Sequence, residues 1–206
     1  MPVICQGCGR PYPAERFKHG RTLHCACGTH VVGPTAVRDL AADEPPRFFA
    51  DAMLGGLARW LRMLGFDASH DDRINDAELV ERSIAEGRLL LTRDRRLASH
   101  WRIEGLLVLE SDKPVAQLAE LDRRHPLGRF ARPFTRCSRC NTLLVPAPVA
   151  EFVGRVPEHV LRSTECVAYC PGCQRVYWEG SHTARMRRTL SEVVASLDVC
   201  AASAGP

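Results

Sequence analysis

Arg88-Leu89-Leu90-Leu91-Thr92-Arg93-Asp94 sets a short apolar run between two arginines and stops it at an aspartate. Three successive leucines leave no polar alternate face, which is the pattern of a strand buried on both sides of a parallel sheet. Two further stretches behave alike: Phe48-Phe49-Ala50 stops at Asp51, and Leu106-Leu107-Val108-Leu109 stops before Asp112. Between them the apolar period is helical. Met53, Leu54, Leu57, Leu61 and Leu64 follow one helix face up to Gly65, and a second helix is expected from Asp76, with Leu79, Val80 and Ile84 inward and Gly87 past its end. A short helix is expected around Leu97 to Trp101, and a last one opens at Pro114, since proline suits a first helical turn. Strands alternating with helices predict an α/β domain built on a parallel sheet with right-handed crossovers.

In such sheets ligands bind outside the carboxyl ends of the strands. Asp51, Asp94 and Asp112 each follow an expected strand, and Asp76 opens a helix, so four carboxylates are candidates for one rim. Close carboxylates repel by about 4 kcal/mol per pair at ~4 Å and an effective dielectric of ~20. A shared proton or a hard cation relieves that repulsion, and an all-oxygen ligand set suits magnesium or manganese better than zinc. Bound to a phosphodiester, such a cation polarises the phosphoryl oxygen and supplies hydroxide without a serine or histidine nucleophile. The alternative for each aspartate is a helix N-cap, worth about 1 kcal/mol. Asp76 or Asn75 with Glu78 would equally complement a helix dipole, and Asp71 and Asp72 read as a solvated loop.

The 206 residues are 45% hydrophobic and 25% charged with 14 prolines and 15 glycines, which excludes a collagen, a low-complexity chain and a coiled coil. No apolar run approaches the roughly 18–20 residues of a membrane span, and the opening MPVICQGCGRPY lacks the basic-then-apolar order of a secretory leader. The expectation is a soluble cytoplasmic protein without a membrane partner. No Walker loop, dinucleotide-binding glycine motif, HExxH or GxSxG is present. Net charge is only +4, but residues 131–206 carry 9 basic against 6 acidic groups while residues 47–130 carry 14 of each. The C-terminal third is therefore the part suited to a polyanion.

Ten cysteines in a chain of this kind point to metal before disulfides. Cys137-x2-Cys140 and Cys170-x2-Cys173 form two knuckles able to close a tetrahedron around zinc, the second turned by Pro171-Gly172. Cys5-x2-Cys8 with Cys25-x-Cys27 is a second, tighter candidate group, for which His19, His24 and His30 are alternative ligands. Cys166 reads as a buried thiol, and Cys200 falls in a small-residue tail. The expected organisation is an N-terminal zinc-binding knuckle or ribbon over 1–40, a linker over 41–47 marked by Pro45-Pro46, the α/β domain over 48–130, a C-terminal zinc ribbon over 131–190 and a helical or disordered tail over 191–206.

Phe49-Ala50-Asp51-Ala52-Met53-Leu54-Gly55-Gly56-Leu57-Ala58-Arg59-Trp60-Leu61-Arg62-Met63-Leu64-Gly65 resembles the opening motif of the Mut-7 C-terminal RNase family, a branch of the PIN-like nucleases. The resemblance continues through Asp76-Ala77-Glu78-Leu79, Leu91-Thr92-Arg93-Asp94-Arg95, Arg136-Cys137-Ser138-Arg139-Cys140-Asn141, and Cys170-Pro171-Gly172-Cys173 leading to Tyr177-Trp178-Glu179-Gly180-Ser181-His182. It implies a PIN-like metal nuclease fold joined to a zinc ribbon and acting on RNA. By resemblance, Asp51, Asp76 and Asp94 take the places of the acidic metal ligands, with Asp112 a fourth and Glu78 an alternative to Asp76. Gly56 stands where the family commonly carries a basic residue, and the N-terminal cysteine group falls outside the resemblance.

Together these readings predict a ribonuclease with catalytic Mg²⁺ or Mn²⁺ on the aspartates and structural Zn²⁺ on the cysteines. Arg93 and Arg95 beside Asp94, and Arg136 and Arg139 beside the C-terminal knuckle, are candidates for RNA phosphates, with Tyr177, Trp178 and His182 near them. Arg59 and Arg62 are either phosphate clamps or a solvated face, and Trp178 is either a stacking platform or core. The alternative function is a non-catalytic zinc-containing RNA-binding or adaptor protein that uses the PIN-like block as a scaffold.

Overall fold

The computed structural model describes residues 1–33, 44–195 and 197. Cys200, residues 41–43 of the expected linker and residues 198–206 of the expected tail lie outside them. Two compact units divide the chain, one of residues 1–55 with 69–110 and one of residues 56–68 with 111–206. No helix among the described residues is long and apolar enough to cross a membrane.

The chain begins with two antiparallel pairs, β1 (Val3–Ile4) with β2 (Pro11–Tyr12), and β3 (Thr22–His24) with β4 (His30–Val32), separated by a 3₁₀ segment over Ala14–Gly20. Their core is Cys5, Tyr12, Phe17, Cys25 and Val31, with Val3 and Leu23 packed against it. So small a cluster needs a metal or a neighbour to hold it. It has a neighbour within its own unit. Arg21 makes an antiparallel bridge with Trp101, the Arg102 N–H donates to the Gly20 carbonyl at 2.6 Å, and Thr22 Oγ1 donates to the Ser99 carbonyl at 2.7 Å.

The α/β part follows the expected alternation: β5 (Phe48–Ala50), α1 (Gly55–Met63), β6 (Ala68–His70), α2 (Asp76–Ala85), β7 (Leu89–Thr92), α3 (Arg95–His100) and β8 (Leu106–Val108). The sheet order is β6-β5-β7-β8, with β5, β7 and β8 parallel and Ala50 beside Leu91 and Thr92 beside Val108. Every residue of β7 is buried, as its unbroken apolar run requires. Phe49, Leu79, Val80, Leu90, Leu97 and Ile103 form the core of this unit, with Ile74, Ile84, Trp101 and Leu106 against it. Three details differ from the expected pattern. Strand β8, expected to be buried on both faces, is an edge strand whose three residues are only half-buried. Edge strand β6 reads Ala-Ser-His, which carries no apolar signal. Met53 is 58% exposed, because a 3₁₀ turn over Ala52–Leu54 precedes α1 and takes Met53 off its buried face.

The second unit holds α1 from Gly56 onward and resumes at α4 (Pro114–Arg124), where Pro114 occupies the first turn as expected. A Cβ on Gly56 would come within 2.5 Å of the Pro114 ring, so the residue at that position in α1 must stay small. Farther on come β9 (Val145–Pro148), α5 (Glu158–Ser163), β10 (Cys166–Tyr169), β11 (Val176–Tyr177) and α6 (Ser181–Val193). The three strands form an antiparallel sheet of order β11-β10-β9 over a core of Val149, Phe152, Val156, Val160 and Val167, against which Trp178 packs. Cys166 corrects the expectation of a buried thiol: strand alternation turns Val167 inward and leaves Cys166 exposed. Buried Asp122 joins the helical part, accepting from the Leu127 N–H at 2.8 Å and the Ala195 N–H at 2.9 Å.

Candidate functional site

Asp51 follows the last residue of β5, and Asp94 lies two residues past β7, so both stand at carboxyl ends of neighbouring parallel strands. Both act as caps. Asp51 Oδ1 accepts from the Ala52 N–H at 2.5 Å, and Asp94 Oδ1 accepts from the Arg96 N–H at 2.7 Å. Thr92, fully buried at the end of β7, links them: its hydroxyl donates to Asp51 Oδ2 at 2.6 Å and accepts from the Asp94 N–H at 2.9 Å. Asp76 is not the cap of its helix. Asn75 takes that role by accepting from the Glu78 N–H at 3.0 Å, which leaves the Asp76 carboxylate uncommitted in the first turn.

Burial, then the negative charges of Asp51 and Asp94, hold the Asp76 carboxyl above its usual value, while His100 opposes them. The three aspartates therefore share one electrostatic neighbourhood. Their oxygens do not all close to within 4.8 Å of one another, a spacing that among the described residues only the two cysteine groups reach. Asp112 stands apart from this picture: it is exposed, four residues beyond β8, and belongs to the other unit. Of the expected arginines, Arg93 is exposed and Arg95 pairs with Glu110 at 2.5 Å, with both side chains mostly in solvent, where such a pair contributes little. Thr92 and His100 are neighbours of these aspartates that stand outside the candidates read from the sequence. A Thr-x-Asp at a strand end was the available signal for Thr92.

The sulfurs of Cys5, Cys8, Cys25 and Cys27 gather in one group and those of Cys137, Cys140, Cys170 and Cys173 in another. Cys5–Cys27 and Cys8–Cys25 are 3.6 and 3.5 Å apart, and Cys137–Cys173 and Cys140–Cys170 are 3.5 and 3.3 Å apart. A tetrahedron with ~2.3 Å zinc–sulfur bonds has edges of roughly 3.8 Å, whereas a disulfide needs ~2.05 Å. Both groups fit zinc. Histidines are absent from both groups, so His19, His24, His30 and His182 are not needed as ligands. The thiols are uneven: burial raises Cys140, but the Thr142 hydroxyl and N–H bring it down to about 6, while burial and the neighbouring sulfurs push Cys173 up to about 12. In the N-terminal group the Cys27 N–H and the Tyr12 hydroxyl lower Cys25 to about 6.

The C-terminal knuckle is tied to α1 by Arg62, which is 7% exposed. Its Nε donates to the Ala68 carbonyl and one terminal nitrogen to the Arg139 carbonyl, each at 2.8 Å. This corrects both readings of Arg62: it is neither a phosphate clamp nor a solvated residue. Asn141 adds to the joint, accepting from the Ala68 N–H at 3.1 Å and donating to Asp67 at 2.7 Å. Arg136 spends its guanidinium on the Asn141 carbonyl at 2.6 Å, while Arg139 remains exposed. Within the same unit a groove of about 1020 Å³ is lined by Arg59, Arg132, Phe134, Arg136, Trp178 and Arg187, among others. The Arg187 guanidinium lies 4.8 Å from the centre of the Phe134 ring.

Fold and donor sets together define an α/β protein with a parallel sheet, carboxylates following its strand ends, and two appended four-cysteine modules able to hold zinc. The chain belongs to the Mut7-C RNAse domain family, whose model matches residues 46–190. That span includes Asp51, Asp76, Asp94 and the C-terminal cysteine group, and it excludes the N-terminal cysteine group. No curated protein and no solved structure matches the chain.

Proposed function

We propose that the protein is a divalent-metal-dependent ribonuclease in which Asp51, Asp76 and Asp94 hold Mg²⁺ or Mn²⁺ and the two cysteine groups hold structural zinc. The observation that carries this reading is the placement of Asp51 and Asp94 just past the carboxyl ends of the neighbouring parallel strands β5 and β7, joined through the Thr92 hydroxyl. Burial together with these two charges raises the Asp76 carboxyl beside them. An all-carboxylate donor set suits a hard cation. Bound there, the cation would supply Lewis-acid stabilisation of a phosphoryl oxygen and a water acidic enough to attack it. Asp51 is held by Thr92 and the Ala52 N–H, so its orientation is fixed before any ligand arrives. The groove in the second unit, with its arginines and its Phe134 and Trp178 rings, offers surfaces for phosphates and bases of single-stranded RNA. Family membership supports RNA as the substrate class.

The test is incubation of purified protein, with its zinc content verified, with labelled single-stranded RNA in Mg²⁺, Mn²⁺ or no added divalent ion. Metal-dependent cleavage that Asp94→Asn abolishes is the expected result. Tight binding with no cleavage under any of these conditions would replace the proposal with the RNA-binding adaptor.

A further inference from the structure

A pocket of about 250 Å³ in the first unit is lined by Arg16, Arg21, Thr22, Leu23, His24 and His100. Two guanidiniums and two imidazoles line it, and no carboxylate is among its lining residues. All four of these side chains belong to exposed residues. Each arginine is backed by an aromatic face, with Arg16 Cζ 5.5 Å from the Tyr12 ring centre and Arg21 Cζ 5.9 Å from that of Trp101. Such backing orients a guanidinium while leaving its N–H fork for an anion.

The imidazoles are also oriented. His24 stacks on His30 with ring centres 4.7 Å apart, and His30 Nε2 lies 2.9 Å from Thr22 Oγ1. His100 Nδ1 is 2.6 Å from the Arg96 carbonyl, which can only accept, so that nitrogen carries the proton and the ring's orientation is set. His100 is also the group whose charge reaches Asp76. His100 ends the six-residue helix α3 that Asp94 caps, which puts the pocket one short helix from Asp94. Five of its six lining residues come from the N-terminal cysteine module, outside the residues shared with the family.

We infer that this pocket binds a backbone phosphate of the single-stranded RNA strand presented to Asp51, Asp76 and Asp94, so that the N-terminal module extends the substrate-binding surface. The inference rests on the ribonuclease reading. The only permanently charged groups of the lining are two guanidiniums, which select an anion, and their fork-shaped donors match phosphate oxygens. The volume is below the roughly 300 Å³ at which drug-sized ligand pockets begin, which suits one phosphate with part of its ribose. The aspartates would repel an incoming polyanion, and a cationic pocket beside them offsets that repulsion.

The test uses the full chain with zinc content measured, in buffer without added magnesium or manganese so that the RNA stays intact. Fluorescence anisotropy with labelled single-stranded RNA is compared for wild type, Arg16→Ala/His24→Ala and Arg16→Glu, with Arg162→Ala as a surface control. The double variant should bind about 5- to 10-fold more weakly at ~0.1 M salt, and the slope of log K against log salt should fall by about 1. Arg16→Glu should weaken binding further, and Arg162→Ala should match wild type. Unchanged affinity and slope in both pocket variants, alongside wild-type RNA binding and full zinc content, would overturn the inference and leave the ribonuclease reading standing. Failure of the wild type to bind RNA would overturn both. Calorimetric titration with inorganic phosphate forms a separate arm: phosphate binding that Arg16→Glu abolishes, without any change in RNA affinity, would assign the pocket to free phosphate instead.

Discussion

Thr92 Oγ1 lies 2.6 Å from Asp51 Oδ2, and because the hydroxyl donates there, its lone pairs are left for the Asp94 N–H at 2.9 Å. One buried hydroxyl thus sets both the carboxylate after β5 and the turn after β7. Thr92→Val keeps the shape and removes the bond, leaving Asp51 Oδ2 without its hydroxyl donor, while Oδ1 keeps the Ala52 N–H, and the Asp94 N–H without this acceptor. The variant should lose about 1–3 kcal/mol of stability, the usual cost of orphaning a buried polar partner. Metal-dependent cleavage should fall with it, and Thr92→Ser should restore both. Urea unfolding midpoints and initial cleavage rates for the three proteins check this, and a Thr92→Val protein as active as wild type would remove Thr92 from any positioning role.

Asp94→Asn separates capping from metal binding. Asparagine caps a helix about as well as aspartate, so the bond from the Arg96 N–H at 2.7 Å survives. One negative charge leaves the neighbourhood of Asp76, which should make the metal-free protein equally stable or slightly more so. Cleavage should drop on the order of 100-fold, the range seen when a group stabilising transition-state charge is removed. RNA affinity should change little. If capping were the whole role of Asp94, the Asn variant would be neutral in every assay and Asp94→Ala would lose stability.

The parts of this protein legible in its sequence are those whose signal is local. β5 and β7 are buried on both faces and therefore apolar apart from Thr92 at the end of β7, and the Cys-x2-Cys pairs lie on single turns. Asp51 and Asp94 could be placed at strand ends because each strand stops abruptly. What could not be read depends on residues distant in sequence. Arg62 looks like any helix-surface arginine until the Arg139 carbonyl, 77 positions away, is brought to it. Cys166 looks like a buried thiol until the alternation of β10 assigns the inward position to Val167. β6 is three residues without an apolar pattern and forms only because β5 offers it an edge.

Cys170→Ser should remove zinc from the C-terminal group alone, leaving about one zinc per chain on the N-terminal cysteines, as elemental analysis would show. Structural zinc is coupled to the folding of its site. The knuckle also receives buried Arg62, whose carbonyl acceptors would be displaced with it. The second unit should therefore lose amide protection over α1 and β9–β11 together, measured by hydrogen exchange. Retention of two zinc ions in Cys170→Ser would show that the group closes with another ligand.

Glu86 gives a stability effect with a defined pH window. Its Oε2 accepts from Arg88 Nε at 2.5 Å and its Oε1 from Arg82 Nε at 3.2 Å, and the Arg88 side chain is only 7% exposed. Burial alone would raise the Glu86 carboxyl, but Arg88 and then Arg82 outweigh it and hold the group below 4.5. A carboxyl lowered in the folded state binds fewer protons there than in the unfolded chain, so its stabilisation is complete above the unfolded value and is lost as pH falls through the folded one. Glu86→Gln should accordingly cost about 1–2 kcal/mol at neutral pH, the range of a charge-assisted hydrogen bond lost to a neutral one. That difference should hold down to about pH 5 and shrink below it as wild-type Glu86 takes up its proton. The raised Asp76 carboxyl acts in the opposite direction, but it is common to both proteins and cancels in the difference. The exposed pair Glu158–Arg162, 83% and 76% in solvent, provides the control, and Glu158→Gln should shift stability by less than ~0.5 kcal/mol at any pH. Urea unfolding of the three proteins between pH 7 and pH 3 measures this, and a Glu86→Gln difference that stays constant across that range would show that the ion pair with Arg88 contributes nothing to folding.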